Sequence, residues 1–134
     1  MSKFVFVSHS GPDTWLARKI AECCQIAGAQ TFLDEAQIAI GADFEKDILA
    51  ALEKADELLV VATPWALDRP YVWLEIGAAW FRRIPIIVVL HGLQPKDIQE
   101  RAPIPNAIKE RNLIVLNQID VYFQQLSHRP SGDL

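Results

Sequence analysis

The sequence predicts an α/β domain, a parallel sheet with helices packed on both faces. Two observations carry that expectation. Short runs rich in Val, Ile, Leu and Phe stand at 4–8, 57–62 and 85–91, apolar at consecutive rather than alternate positions. A strand that is apolar on both sides has to be covered on both sides, which is the condition of an inner strand in a parallel sheet. Between these runs lie longer stretches with apolar residues three and four apart, at 13–27, 44–54 and 71–83. Strands that alternate with amphipathic helices imply parallel pairing through right-handed crossovers.

The first strand, Phe4-Val5-Phe6-Val7-Ser8, is too short for a helix and rich in β-formers. Its character changes abruptly to the polar turn Ser8-His9-Ser10-Gly11-Pro12-Asp13. Asp13 reads as the N-cap of the first helix. That helix carries Trp15, Leu16, Ile20, Cys23, Cys24 and Ile26 at helical spacing, and Gly28 stands where a glycine stop belongs. A second strand is expected over 30–33 and a polar loop containing Gly41 over 34–43. The second helix begins at Phe44, with Phe44, Ile48, Leu49 and Leu52 as its apolar face. The third strand runs over 57–62. Residues 63–70 hold two prolines and read as a loop or irregular turn. In the helix over 71–83, Trp73, Ile76 and Trp80 form the stripe expected to pack, with Tyr71 and Glu75 on another edge. The fourth strand (85–91) is the most apolar. Residues 94–109, interrupted by Pro95, Pro103 and Pro105, are expected to form only short helical turns. A fifth strand over 112–116 and a short helix over 119–126 complete the chain. Five strands in this order fit a flavodoxin-like, three-layer fold with sheet order 2-1-3-4-5 and the first strand central.

Length and composition bound the function. A chain of 134 residues is one domain by size. It is read as a domain over 1–127 followed by a C-terminal tail or linker over 128–134. Hydrophobic residues make up 51% and the formal net charge is −4, which argues against direct nucleic-acid binding. No apolar run has the length of a membrane span, so no membrane contact is expected. Cys23 and Cys24 are adjacent, a poor geometry for a disulfide, and read as reduced thiols of a cytoplasmic protein. His9, His91 and His128 are scattered, and no Cys/His spacing fits a metal site. A phospho-receiver would need an acceptor aspartate after the third strand, where Ala62-Thr63-Pro64 stands instead.

Several boxes together resemble a known family. Phe6-Val7-Ser8-His9-Ser10 followed by Asp13 is similar to the first box of Toll/interleukin receptor (TIR) domains, in its bacterial form. Phe32-Leu33-Asp34-Glu35 with Gly41 resembles the second strand and the loop after it. Tyr71-Val72-Trp73-Leu74-Glu75 with Ala78-Ala79 resembles the helix that bears the TIR glutamate, and Pro85-Ile86-Ile87-Val88-Val89 the strand that follows. The likeness extends from about Lys3 to Leu126. Active members usually carry Trp four residues before the glutamate; this chain has Tyr71 there, with Trp73 two residues before it.

The resemblance implies an NAD⁺ glycohydrolase or cyclase acting in prokaryotic immune signalling or virulence. NAD⁺ is the substrate and no cofactor is expected. Glu75 is the implied catalytic residue. Substrate contacts are expected from Ser8, His9 and Ser10 in the first turn, from Phe44 and from Tyr71. Gly11 permits close backbone approach, and the helix start offers free N–H groups to a pyrophosphate. His9 also reads as an ordinary surface turn residue, and Phe44 as a core aromatic. Ile38 and Ile40 around Gly41 suggest a contact surface for self-association between TIR domains. The alternative function is a non-catalytic TIR interaction module.

Overall fold

In a computed structural model of the chain, the described residues are 3–33, 44–103 and 107–128, without the side chains of Phe44 and Glu45. The strands are β1 (Phe4–Ser8), β2 (Gln30–Leu33), β3 (Glu57–Ala62), β4 (Ile86–Leu90) and β5 (Leu113–Val115). They form a five-stranded sheet in the order β2-β1-β3-β4-β5, every neighbouring pair parallel. This is the flavodoxin-like arrangement expected from the alternation of elements. The helices are α1 (Thr14–Ile26), α2 (Phe44–Lys54), α3 (Pro64–Leu67), α4 (Pro70–Arg82), α5 (Pro95–Arg101) and α6 (Ile119–His128). Short 3₁₀ turns lie at Gly11–Asp13, Glu110–Asn112 and Leu116–Gln118.

Strand alternation sorts the core into two layers. Val5 and Val7 of β1, with Leu59, Val61 and Val89, pack on Ala17, Ile20 and Cys24 of α1 and on Leu126 of α6. Phe6, Leu58, Val60 and Val88 point the other way, against Ile48 and Leu52 of α2 and Val72, Ile76 and Ala79 of α4. Successive strand residues face opposite sides, so the parity of a residue in β1 or β3 decides which helices it meets. That rule governs the polar residues as well.

The structure corrects several local expectations. Asp13 occupies the N-cap position of α1, but its side chain makes no capping hydrogen bond because it is engaged elsewhere. Residues 63–70 contain a real helical turn, α3. Thr63 Oγ1 accepts from the Ala66 N–H at 3.2 Å and Pro64 takes the first position, a start signal legible as Thr-Pro. Residues 94–109 likewise contain α5, opened by a capping box between Gln94 and Asp97. Trp15, Ile26 and Leu49 are exposed rather than packed. The helix stop at Gly28 is as expected: Gly28 has φ 101°, and the Ala29 N–H donates to Cys24 O at 3.0 Å.

At the amino ends of the strands lies a second polar cluster. Glu57, an odd-numbered residue of β3, faces α1 and α6. It accepts from the Tyr122 hydroxyl at 3.1 Å, and Lys3 Nζ lies 3.9 Å from its other oxygen. Burial, then the Glu57 carboxylate and then Cys23, push the neighbouring Cys24 thiol up to about 12. In the unfolded chain the thiol titrates near 8.5. The folded state therefore holds this proton more tightly, and the stability so contributed is complete below about pH 8.5 and lost as pH rises towards 12. Thermal midpoints measured from pH 8 to 11 should fall less steeply for Cys24→Ala than for wild type. At pH 8 a thiol reagent should modify half-buried Cys23 long before Cys24.

Candidate active site at the carboxyl ends of β1 and β3

The sheet reverses its winding between β1 and β3, since β1 leads to β2 on one side and β3 lies on the other. In open α/β sheets such a switch point opens a crevice at the carboxyl ends of the strands. Here that position is polar. Ser8, His9, Ser10, Asp13, Thr63 and Glu75 are all buried there.

Parity places Ser8. Phe4, Phe6 and Ser8 share the α4-facing side of β1, so the last residue of the strand aims at α4 where an apolar residue would otherwise sit. On α4 the buried stripe is Val72, Glu75, Ile76 and Ala79, at the spacing i, i+3, i+4, i+7. Glu75 is thus on the sheet-facing stripe. The expected stripe through Trp73 and Trp80 is rotated from the real one: Trp73 is half-buried with its indole N–H donating to Leu67 O at 2.9 Å, and Trp80 is exposed. The sequence spacing puts Glu75 on a helix edge; in the structure it is fully enclosed, at 0% exposure. Ser8 Oγ donates to Glu75 Oε1 at 2.5 Å, a buried bond joining residues 67 apart in the chain.

A second carboxylate fixes the turn beside this pair. Asp13 Oδ2 accepts from Ser10 Oγ and from Thr63 Oγ1, each at 2.5 Å. The turn after β1 and the turn after β3 are therefore bound to one atom. Thr63 follows Ala62 on the opposite parity, which turns its hydroxyl towards α1 and Asp13. His9 is enclosed at 2% exposure, not a surface turn residue, and its Nδ1–H donates to Ser10 O at 2.8 Å. From the start of α4, Arg69 reaches over and donates through Nη1 to the His9 carbonyl. The same guanidinium lies 5.8 Å from the centre of the Tyr71 ring, within cation–π range. Tyr71 is half-buried one turn before Glu75.

Of the residues singled out from the sequence, Ser8 and Glu75 meet directly, His9 and Ser10 form the adjoining turn, and Tyr71 flanks it through Arg69. Phe44 is the first residue of α2, and its side chain lies outside the described residues, as does the loop 34–43 with Ile38, Gly41 and Ile40. Sequence reasoning missed the bridging role of Asp13 and the participation of Thr63 and Arg69. The Thr63-Pro64 helix start was a usable signal for the second; nothing local marks the other two. A cleft of about 810 Å³ lies at the opposite end of the sheet, lined by Lys3, Trp80, Arg83, Lys109 and Arg111 among others, away from the carboxylates. Among the described residues no group of three or more His, Cys, Asp or Glu side chains is placed to hold a metal ion.

Fold and site together define a flavodoxin-like α/β domain with an enclosed polar centre at its switch point. The chain belongs to the TIR domain family, whose match covers residues 5–127. Similar solved structures include the TIR domain of the Toll-related receptor TRR-2 from Hydra magnipapillata, at 17% identity and TM-score 0.66, covering 91% of this chain and 96% of that one. The TIR domains of the activated Roq1 resistosome, which recognises the pathogen effector XopQ, are similar at 16% identity and TM-score 0.64, with 99% and 88% covered. So is the CMP N-glycosidase BcmB of Clostridium botulinum, at 18% identity and TM-score 0.56, with 95% and 100% covered. At these identities the likeness is one of fold. No curated protein matches the chain.

Proposed function

We propose that this TIR domain cleaves the bond between nicotinamide and ribose in NAD⁺, with Glu75 as the catalytic residue. The observation that carries the reading is the enclosed Glu75 carboxylate, held by Ser8 at the switch point of the sheet, on the helix where TIR enzymes bear their glutamate. A fold neighbour that is a CMP N-glycosidase adds support, because it too breaks a bond between a ribose carbon and a base nitrogen.

The chemistry asks little of the protein. The nicotinamide nitrogen is already cationic, so the C–N bonding pair leaves onto it without prior protonation. Ordinary glycoside hydrolysis needs a general acid at this step. As the bond stretches, positive charge develops on the ribose, and a fixed carboxylate stabilises it. Water then adds at the anomeric carbon and loses a proton to solvent, or a nucleophile within the same molecule closes a ring. Phe44 would stack on a substrate ring, and His9, Ser10 and Tyr71 would line the approach. Glu75, Ser8, His9 and Ser10 are each at most 3% exposed, so the crevice has to open before a ribose reaches the carboxylate. Activity is therefore expected to be latent in dilute protein and to rise with concentration as TIR domains associate. The test is incubation of concentrated protein with NAD⁺ and chromatography for nicotinamide. Absence of release across a concentration series and with crowding agent would refute the reading.

The same enclosure favours a second reading, a non-catalytic module that binds other TIR domains. Exposed Trp15, Trp65 and Phe81 offer contact surface for it. Phe44→Ala separates the roles of that aromatic. A substrate-stacking Phe44 should raise KM with little change in thermal midpoint, whereas a core Phe44 would cost about 3–5 kcal/mol of stability.

A further inference from the structure

We infer that Ser8 is a positioning residue for Glu75 and not a contact of the substrate; the inference rests on the NAD⁺-cleaving reading. A serine hydroxyl carries a single donor proton. In this structure it is directed to Glu75 Oε1 at 2.5 Å, and both side chains have no exposure. The hydroxyl cannot also donate to a ribose oxygen while that bond persists.

Ser8 is well built for the task. It ends β1, an inner strand flanked by β2 and β3, and pairs in register with Val60 of β3, so its backbone is fixed by the sheet. The turn that follows is held by Ser10 and Thr63 on Asp13. A catalytic group supported from a strand is set more closely than one supported from a loop. A carboxylate stabilising charge on a ribose depends on placement, because an error of about 1 Å costs on the order of 10² in rate. The bond to Oε1 restricts rotation of the carboxylate about its last torsion, which is intrinsically broad for glutamate. Ser8 also replaces part of the hydration that a fully buried carboxylate forfeits.

The experiment combines kinetics with stability. Ser8→Ala should lower kcat for NAD⁺ by about 10- to 100-fold with KM within about threefold of wild type. Ser8→Thr, which restores a hydroxyl, should recover most of that loss. A KM raised tenfold at unchanged kcat would place the Ser8 hydroxyl on the substrate and overturn the inference. Independently of activity, urea midpoints are measured for Ser8→Ala in the wild-type and Glu75→Leu backgrounds. The substitution should lower the midpoint in the first and have little effect in the second. Equal shifts in both would mean that Ser8 does not hold Glu75, again overturning the inference. Should wild type release no nicotinamide, the proposed function fails by itself, and the urea cycle still decides whether Ser8 holds the carboxylate.

Discussion

Glu75→Gln is expected to abolish nicotinamide release while leaving a folded domain. The substitution keeps the shape of the side chain, and its amide oxygen can still accept from Ser8 Oγ. What disappears is the negative charge. Losing one preorganised group that stabilises transition-state charge costs on the order of 10²–10³ in rate. Because Glu75 is fully enclosed on the sheet-facing stripe of α4, the control is a thermal melt: the Gln variant should unfold within a few degrees of wild type. Wild-type turnover by a folded Gln variant would remove Glu75 from the mechanism. Collapse of the fold in both Gln and Ala variants would instead assign the carboxylate a structural duty.

Asp13→Ala should give the largest loss of stability among the site residues. Its Oδ2 is the shared acceptor of Ser10 and Thr63, both buried, and the truncation strands two hydroxyls where water does not reach. Hydrogen bonds to a charged group are worth about 1.5–3 kcal/mol each. A combined cost of about 3–5 kcal/mol follows, or a fall in thermal midpoint of roughly 10 °C or more for a domain of this size. Asp13→Asn retains an acceptor oxygen and should fall between. The damage should not stay local, since the turns after β1 and β3 would lose their common anchor beside the Ser8–Glu75 pair. An alanine variant that melts within two degrees of wild type would show that the bridge contributes nothing, and that α1 and β3 packing alone hold the crevice.

The two carboxylates of the crevice show where sequence reading works and where it stops. The box singles out Glu75 as a candidate but does not reveal its burial, because the large residues Trp73 and Trp80 suggest a different stripe. The phase of a helix against a sheet is set by which side chains fit the space between layers, and smaller Val72, Ile76 and Ala79 fit there. Asp13 reads locally as a helix cap; its bond to nearby Ser10 does not reveal the bridge, because the second partner, Thr63, lies 50 residues away. Arg69 and the His9 carbonyl are 60 apart, and no local pattern marks such a pair.

By itself the sequence determined the order and kind of the main elements, the parallel sheet, the strand order, the glycine stop of α1 and the family. The elements follow from periodicity and turn chemistry, which act over a few residues, and the family from the resemblance of four boxes in order and spacing. Only the tertiary structure decided that Ser8 meets Glu75, that Asp13 joins two turns and that the whole centre is closed to solvent. Those facts depend on the parity of β1 and β3 and the rotation of α4, set by packing across the layers and not written in any one segment.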